Sequence, residues 1–305
     1  MINFGIDLGF GFTKDSYYDD GKIVCDKFIS AVAWDVRKRD GMYDYDRRYW
    51  KVGEGALSSK NIIELTNYAL LEEFAPLLLL EAINRAGLKA ENIGTVVCGL
   101  SLAHAREADS FVKKLSSFVV DGKKYEFEIS LVPQAEGAMH TIKKTYNDST
   151  GNFMVIDIGS NTIDALVCED GSMQENTLDG YENRGVRRVA QLLQQHLVKN
   201  DIGELTIPQS LKVLEDRKVK LYGVETDLDV VIKQISRDFT KETLQFIRNK
   251  YDHELKVLDR IFFVGGGAHY IGGTEDIGLP HAVIPEDPEY FNAVGNLLSA
   301  KEQIT

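Results

Sequence analysis

Apolar and polar positions alternate from Gly5 to Tyr18, the chain turns at Asp19-Asp20-Gly21, and Lys22 to Phe28 returns with the same alternation, so the protein opens as antiparallel strands. The pattern recurs from Phe153 to Glu169. Each copy has an aliphatic strand end, a single Asp and a turn of small residues, with Asp7 matching Asp157 and Gly9 matching Gly159. Apolar stretches at Ile93–Leu100, Tyr125–Val132 and Asp259–Val264 predict further strands, the second stopping at Pro133 and the third at Gly265-Gly266-Gly267. Helical spacing of Leu70, Leu71, Phe74, Leu77, Leu78 and Ile83 predicts a helix over Asn67–Arg85, with Gly87 as its C-cap and Pro76 as a start or kink. Helices are also predicted over Ala103–Phe118, Gly185–Lys199, Pro208–Tyr251 and Pro285–Ala300, and Pro133 precedes another helix start. Ile29–Trp50, rich in aromatics and charge, reads as a small inserted subdomain that leads into the strand and glycine turn of Tyr49–Gly55. Strands alternating with helices imply an α/β architecture with mixed sheets.

At 305 residues two domains are expected, and the repeated hairpin indicates where they divide. With 44% hydrophobic and 27% charged residues the chain is folded rather than disordered or fibrous. A formal charge of -12 repels nucleic acid and anionic membrane, so no direct nucleic-acid contact is expected without a local patch or a second protein. The basic clusters Arg37–Arg39, Arg47-Arg48 and Arg184 with Arg187-Arg188 read as solvated charge. Cys25, Cys98 and Cys168 lack disulfide or zinc spacing, which fits a reducing cytoplasm. The N-terminus lacks a leader pattern, and the longest apolar run, around Pro76–Leu80, is far shorter than a membrane span.

Candidate chemistry lies in four segments. In the first loop, Gly9 and Gly11 allow backbone amides to face an anion and Lys14 adds a charge, although a plain hairpin needs glycines too; Phe10 and Phe12 read locally as packing residues. The second loop, Gly159-Ser160-Asn161-Thr162, combines backbone, hydroxyl and amide donors beside Asp157, a carboxylate suited to a metal-bound water; Asp164 reads as structural. The third, Gly265-Gly266-Gly267-Ala268-His269-Tyr270, permits close backbone approach to a flat ligand, or simply a tight turn. In the fourth, Gln134 and Glu136 either orient a water for phosphoanhydride hydrolysis or cap the helix that follows.

The order of these segments resembles the five motifs of the actin, Hsp70 and sugar kinase ATPases: the two Asp-x-Gly loops, the Pro133-Gln134-Ala135 connector, the Gly265–Ala268 turn and Ala293-Val294-Gly295. The stretches Gly5–Lys14, Phe28–Ser30, Trp50–Ala56 and Val96–Leu100 are most similar to actin-like proteins of the ParM/StbA type. The resemblance implies two ribonuclease H-like domains around a nucleotide cleft. Domain I would span 1–152, with its subdomain near 29–60 and a terminal helix near 287–302 returning to it, and domain II 153–286. It implies Asp7 and Asp157 near Mg2+, mainly through water, and places Gly9, Phe10, Gly11, Phe12, Lys14, Gly159, Ser160, Asn161 and Thr162 about the phosphates. Gln134 would position the hydrolytic water, Gly185 would open a helix near the ribose, and Gly265, Gly266, Gly267, Ala268 and Tyr270 would bound the nucleoside. An adenine-contacting helix is expected within 208–221. The chain departs from the plasmid type in having Gln134 where Glu is frequent and Ser101 where Pro follows the Gly-Leu pair.

The expected activity is that of a filament-forming ATPase using ATP or GTP and Mg2+, assembling head to tail in the cytoplasm. It would move plasmid DNA or another cargo through an adaptor protein. The alternative is a sugar or small-acid kinase of the same superfamily, for which the chain is short. A chaperone-like ATPase would require a substrate-binding domain beyond residue 305.

Overall fold

The structure, a computed structural model, describes residues 1–272 and 277–302. Strands Ile2–Leu8 (β1), Phe12–Asp19 (β2) and Lys22–Ile29 (β3) form an antiparallel meander whose register pairs Asp7 with Lys14 and Asp15 with Asp26. The sequence then leaves this sheet for a separate four-stranded one, made of Ala31–Asp35 (β4), Tyr43–Tyr45 (β5), Arg48–Val52 (β6) and Ile62–Glu64 (β7), with the short helix Glu54–Leu57 (α1) between the last two strands. Helix Tyr68–Arg85 (α2) starts at Asn67, whose side chain accepts from the Leu70 amide, and ends at Ala86 before Gly87 in the left-handed region. It runs through Pro76 and buries Phe74, Leu77 and Leu78 in the same core as Phe4, Ile6 and Phe28.

Strand Ile93–Leu100 (β8) joins β1 in parallel. After helix Ala108–Ser116 (α3) come a hairpin of Ser117–Val120 (β9) and Lys123–Glu126 (β10), then Glu128–Pro133 (β11), parallel to β8, and helix Glu136–Thr145 (α4). The central sheet therefore runs β11-β8-β1-β2-β3.

The terminal helix Phe291–Glu302 packs on this same unit, which comprises Met1–Asn147 and the chain from Tyr290 onward. Glycines make that contact: a Cβ at Gly295 would overlap the backbone of Gly137, and one at Gly137 would approach Asn292 and Asn296. The helix is also tied to the sheet by Ser16 donating to the Ala293 carbonyl (2.8 Å) and Asn296 donating to that of Ile6 (2.9 Å).

The second unit, Asp148–Glu289, repeats the design. Strands Phe153–Ile158 (β12) and Thr162–Glu169 (β13) form the hairpin, and β13 pairs with Ser172–Met173 (β14) and Asp179–Glu182 (β15). Helices Arg187–Lys199 (α5) and Ile207–Asp216 (α6) precede a small hairpin, Lys218–Leu221 (β16) and Val224–Asp227 (β17). Helix Asp229–Tyr251 (α7) and the short Glu254–Val257 (α8) then lead into Arg260–Val264 (β18), parallel to β12, and Ala282–Val283 (β19), parallel to β18. The strand order β14-β13-β12-β18-β19 matches that of the first unit, and both have the ribonuclease H-like arrangement.

Local structure departs from the sequence expectations at several points. The stretch Tyr125–Val132 is two strands, because the Phe127 amide turns to the Ser116 carbonyl while its ring joins the core. The helix expected over Ala103–Phe118 gives way at its start to a 3-10 stretch kinked at His104, and at its end to β9, where Phe118 and Val120 are buried and Val119 is exposed. Pro208–Tyr251 is interrupted by the β16–β17 hairpin, whose turn residues Tyr222 and Gly223 both have positive φ (50° and 82°), as a type I′ turn requires. The final helix begins at Phe291, after a 3-10 turn at Pro288–Tyr290. Among the described residues no helix is long and apolar enough to cross a membrane.

Candidate functional site

The β1–β2 register sets Asp7 across from Lys14, and the Lys14 ammonium donates to Asp7 Oδ2 at 2.9 Å. Both side chains are buried. The other oxygen, Oδ1, accepts from Gln134 Nε2 at 2.9 Å. Gln134 extends β11: its amide donates to the Leu100 carbonyl, and the next residue, Ala135, lies at φ 69° with its own amide on Asn292. This left-handed alanine turns the chain from strand into α4, and such strained backbone is characteristic of positions where geometry matters to function. Ala135 is the N-cap of α4 and no side chain caps that end, so the capping alternative for Gln134 and Glu136 is not realised. The pair Asp7–Gln134 is formed instead.

At Gly9 a Cβ would meet the Phe12 carbonyl and stand 3.3 Å from Lys14 Nζ, so a small residue is required beside the ammonium. The Gly11 carbonyl is fixed by the Ser30 amide at 2.8 Å. Phe10 packs against His104, and Phe12 lies beneath Lys27.

In the second unit the carbonyls of Gly159, Ser160 and Asn161 are all occupied by the backbone ahead of α5. Val186 donates to Gly159 (3.1 Å), Arg187 to Ser160 (2.8 Å), and Arg184 and Gly185 both donate to Asn161. Gly185 fits there because a Cβ would collide with the Gly159 and Ser160 carbonyls. It thus packs the loop against the start of α5 rather than forming the helix's first turn. Asp157 is buried, pairs in register with Asp164, and lies against Gly265, where φ is 80° and a Cβ would overlap Asp157 Oδ1. Asn161 is also buried, and its Oδ1 has no hydrogen-bond partner. Among the described residues no three His, Cys, Asp or Glu side chains gather into a metal cage.

The glycine turn after β18 borders a cavity of about 380 Å³ lying wholly within the second unit. His269 and Tyr270 line it on one side, and Lys233, Arg237 and Lys241 of α7 and Arg217 at the end of α6 on another. Thr240 joins the two walls: its Oγ1 donates to the Tyr270 carbonyl (3.0 Å) and accepts from the Gly272 amide (3.1 Å). His269 is held by Glu289 at 2.6 Å, and Gly265 is held by its amide on the Pro288 carbonyl. Arg217 and Lys233 both bind Asp229, whose carboxyl they hold below the ordinary range, Lys233 contributing first. Within 208–221, Arg217 alone lines the cavity; half of the described lining residues come from α7. The α7 residues were not singled out from the sequence, although the i, i+4 ladder of Lys233, Arg237 and Lys241 was visible there.

Two ribonuclease H-like units, each with an Asp-x-Gly hairpin at the same place in the sheet, and a glycine turn after the fourth strand of the second define the actin-like two-domain fold. Residues 5–137 match the family model described as actin-like proteins, N-terminal domain, and residues 155–274 that of archaeal MreB-like actin homologues, C-terminal. The chain belongs to the actin-like proteins. Its fold is similar to that of the archaeal actin homologue Ta0583 in complex with ADP, at 22% identity and TM-score 0.79, covering 99% of this chain and 100% of that one. It is also similar to ParM in a 15-stranded filament from Clostridium botulinum (18%, TM-score 0.77, 99% of each chain) and to Bacillus thuringiensis ParM with ATP (16%, TM-score 0.66, 100% of each). No curated protein sequence gives a significant match.

Proposed function

We propose that the protein binds a purine nucleoside triphosphate with Mg2+, assembles head to tail into filaments, and hydrolyses the nucleotide. The observation that carries this reading is the duplicated hairpin: Asp7 and Asp157 occupy equivalent positions in two sheets of the same strand order. In the second loop the carbonyls are drawn toward the start of α5 and the Gly159 amide donates to the Thr162 carbonyl, so the Ser160 and Asn161 N-H groups and the Thr162 side chain are the donors assigned to phosphate oxygens. In the first, Gly9, Gly11 and Lys14 surround the bend. Mg2+, when bound, neutralises charge on the β- and γ-phosphates.

Gln134 is the residue assigned to orienting water. Its Nε2 is anchored on Asp7, so its Oε1 is the end left to accept from a water, and hydrolysis of this kind depends mainly on positioning and charge. The cavity beside Tyr270 takes the nucleoside. Similarity to a ParM solved as a filament supports self-assembly, and a heterologous contact that does not close on itself extends indefinitely. The acidic chain then serves a cytoplasmic cargo such as plasmid DNA through an adaptor protein.

Sedimentation with ATP or GTP and Mg2+, with phosphate release followed in parallel, tests the proposal. Triphosphate-dependent pelleting followed by release supports it. A protein that hydrolyses nucleotide only when a sugar acceptor is added, and stays in the supernatant, would indicate a kinase instead.

A further inference from the structure

The cavity that receives the nucleoside in the proposed function has charged lining of one sign. Arg217, Lys233, Arg237 and Lys241 line it together with His269, and among the described residues that line it there is no carboxylate, Asn or Gln. The carboxylates nearest in the network are engaged elsewhere: Asp229 by Arg217 and Lys233, Glu289 by His269, and Asp238 by Gln234. Among the described residues, Arg237 and Lys241 have neither an ion pair nor a hydrogen bond from their side chains. They stand one turn apart on α7, a like-charge spacing that disfavours the helix unless something negative or strongly accepting lies over it.

The two purines ask for different partners. The adenine N6/N7 edge presents a donor beside an acceptor and is matched by Asn or Gln, whereas the guanine O6/N7 edge presents two acceptors and is matched by Arg or Lys. The Thr240 hydroxyl does not reverse this, being already bonded to the backbone at Ser236, Tyr270 and Gly272. We infer that this cavity selects a 6-oxopurine, so that the protein is a GTP-preferring member of its family, with Arg237 and Lys241 reading the O6/N7 edge. The inference rests on the nucleotide reading proposed above.

Binding of GTP, ITP and ATP to the full chain with Mg2+, measured by calorimetry with non-hydrolysable analogues, tests it. ITP keeps O6 and N7 but lacks the 2-amino group. GTP and ITP are expected to bind comparably, and about tenfold or more tighter than ATP. Arg237→Ala, with Lys241→Ala as a second variant, lowers GTP affinity more than ATP affinity, so that the ratio collapses toward one. ATP binding as tightly as GTP overturns the inference, as does ITP falling to the level of ATP. So does an equal loss of GTP and ATP in both variants, which would assign the cations to phosphate. If none of the three nucleotides binds, the nucleotide reading fails and this inference falls with it.

Discussion

Replacing Lys14 by Met removes one half of the Asp7–Lys14 pair and nothing else of comparable charge near it. The side chains are 10% and 4% exposed, which puts the pair in the buried regime, where loss of one partner is destabilising by about 3–5 kcal/mol, rather than the surface regime of about 0–1 kcal/mol. Gln134 still donates to Asp7 in the variant, so the lower end, about 3 kcal/mol, is expected. That is a large share of a total stability of roughly 5–15 kcal/mol. The assay has a local reporter: the two tryptophans, Trp34 and Trp50, both belong to the first unit, and Trp50 is buried against Phe74 with ring centroids 4.6 Å apart. Urea unfolding without nucleotide, followed by tryptophan fluorescence, therefore reads the unit that carries the pair. Adding Asp7→Asn removes the unpaired charge while keeping an acceptor for Gln134, and is expected to restore most of the loss. A single-variant loss below about 1 kcal/mol, or a double variant no better than Lys14→Met alone, would refute the buried-pair account.

Gln134→Ala is expected to slow phosphate release on the order of a hundredfold while leaving triphosphate-dependent pelleting intact; unchanged release would remove its water-positioning role. Gly295→Ala forces a methyl group into the Gly137 backbone and should destabilise the first unit by about 1–3 kcal/mol in the same fluorescence assay, so a neutral result would contradict the close packing of the terminal helix. Asp15 is fully buried without a hydrogen-bond partner, and its carboxyl is pushed up to about 8, by burial first and Asp26 next, with Arg85 opposing. Folded protein thus holds a proton that the unfolded chain releases above its ordinary 3.8. Stability from this group is fully present at acid pH and falls as pH rises toward 8, by up to about 1.4 kcal/mol per pH unit. Thermal unfolding from pH 5 to 8 should show that slope in the wild type and a flatter one in Asp15→Asn; equal slopes would refute it.

The two hairpins were legible because each carries a local signal: alternation, one Asp, then small residues that permit the bend. The same holds for α2, where periodicity, the Asn67 cap and Gly87 agree. Elements that depend on distant partners were not. The break at Phe127 follows from a carbonyl on Ser116 and a core it joins only in the folded state, and the strand at Phe118 takes its pairing from residues further on. The β16–β17 hairpin was hidden in a charged stretch whose Tyr222-Gly223 turn is less distinctive than Asn-Gly. For the site, Gln134 could be named from its place after Pro133, but its bond to Asp7 required the parallel pairing of β1, β8 and β11. The cationic wall on α7 needed the fold to bring that helix beside Tyr270.

A map of the protein assembled with a non-hydrolysable triphosphate and Mg2+, obtained by electron cryomicroscopy, tests the central claim most directly. The account predicts filaments in which the phosphates contact the turns at Gly9–Phe12 and Gly159–Thr162, Gln134 faces the terminal phosphate, and the base lies in the cavity beside Tyr270 and Arg237. Nucleotide density elsewhere, with both Asp-x-Gly turns free of phosphate, would contradict it.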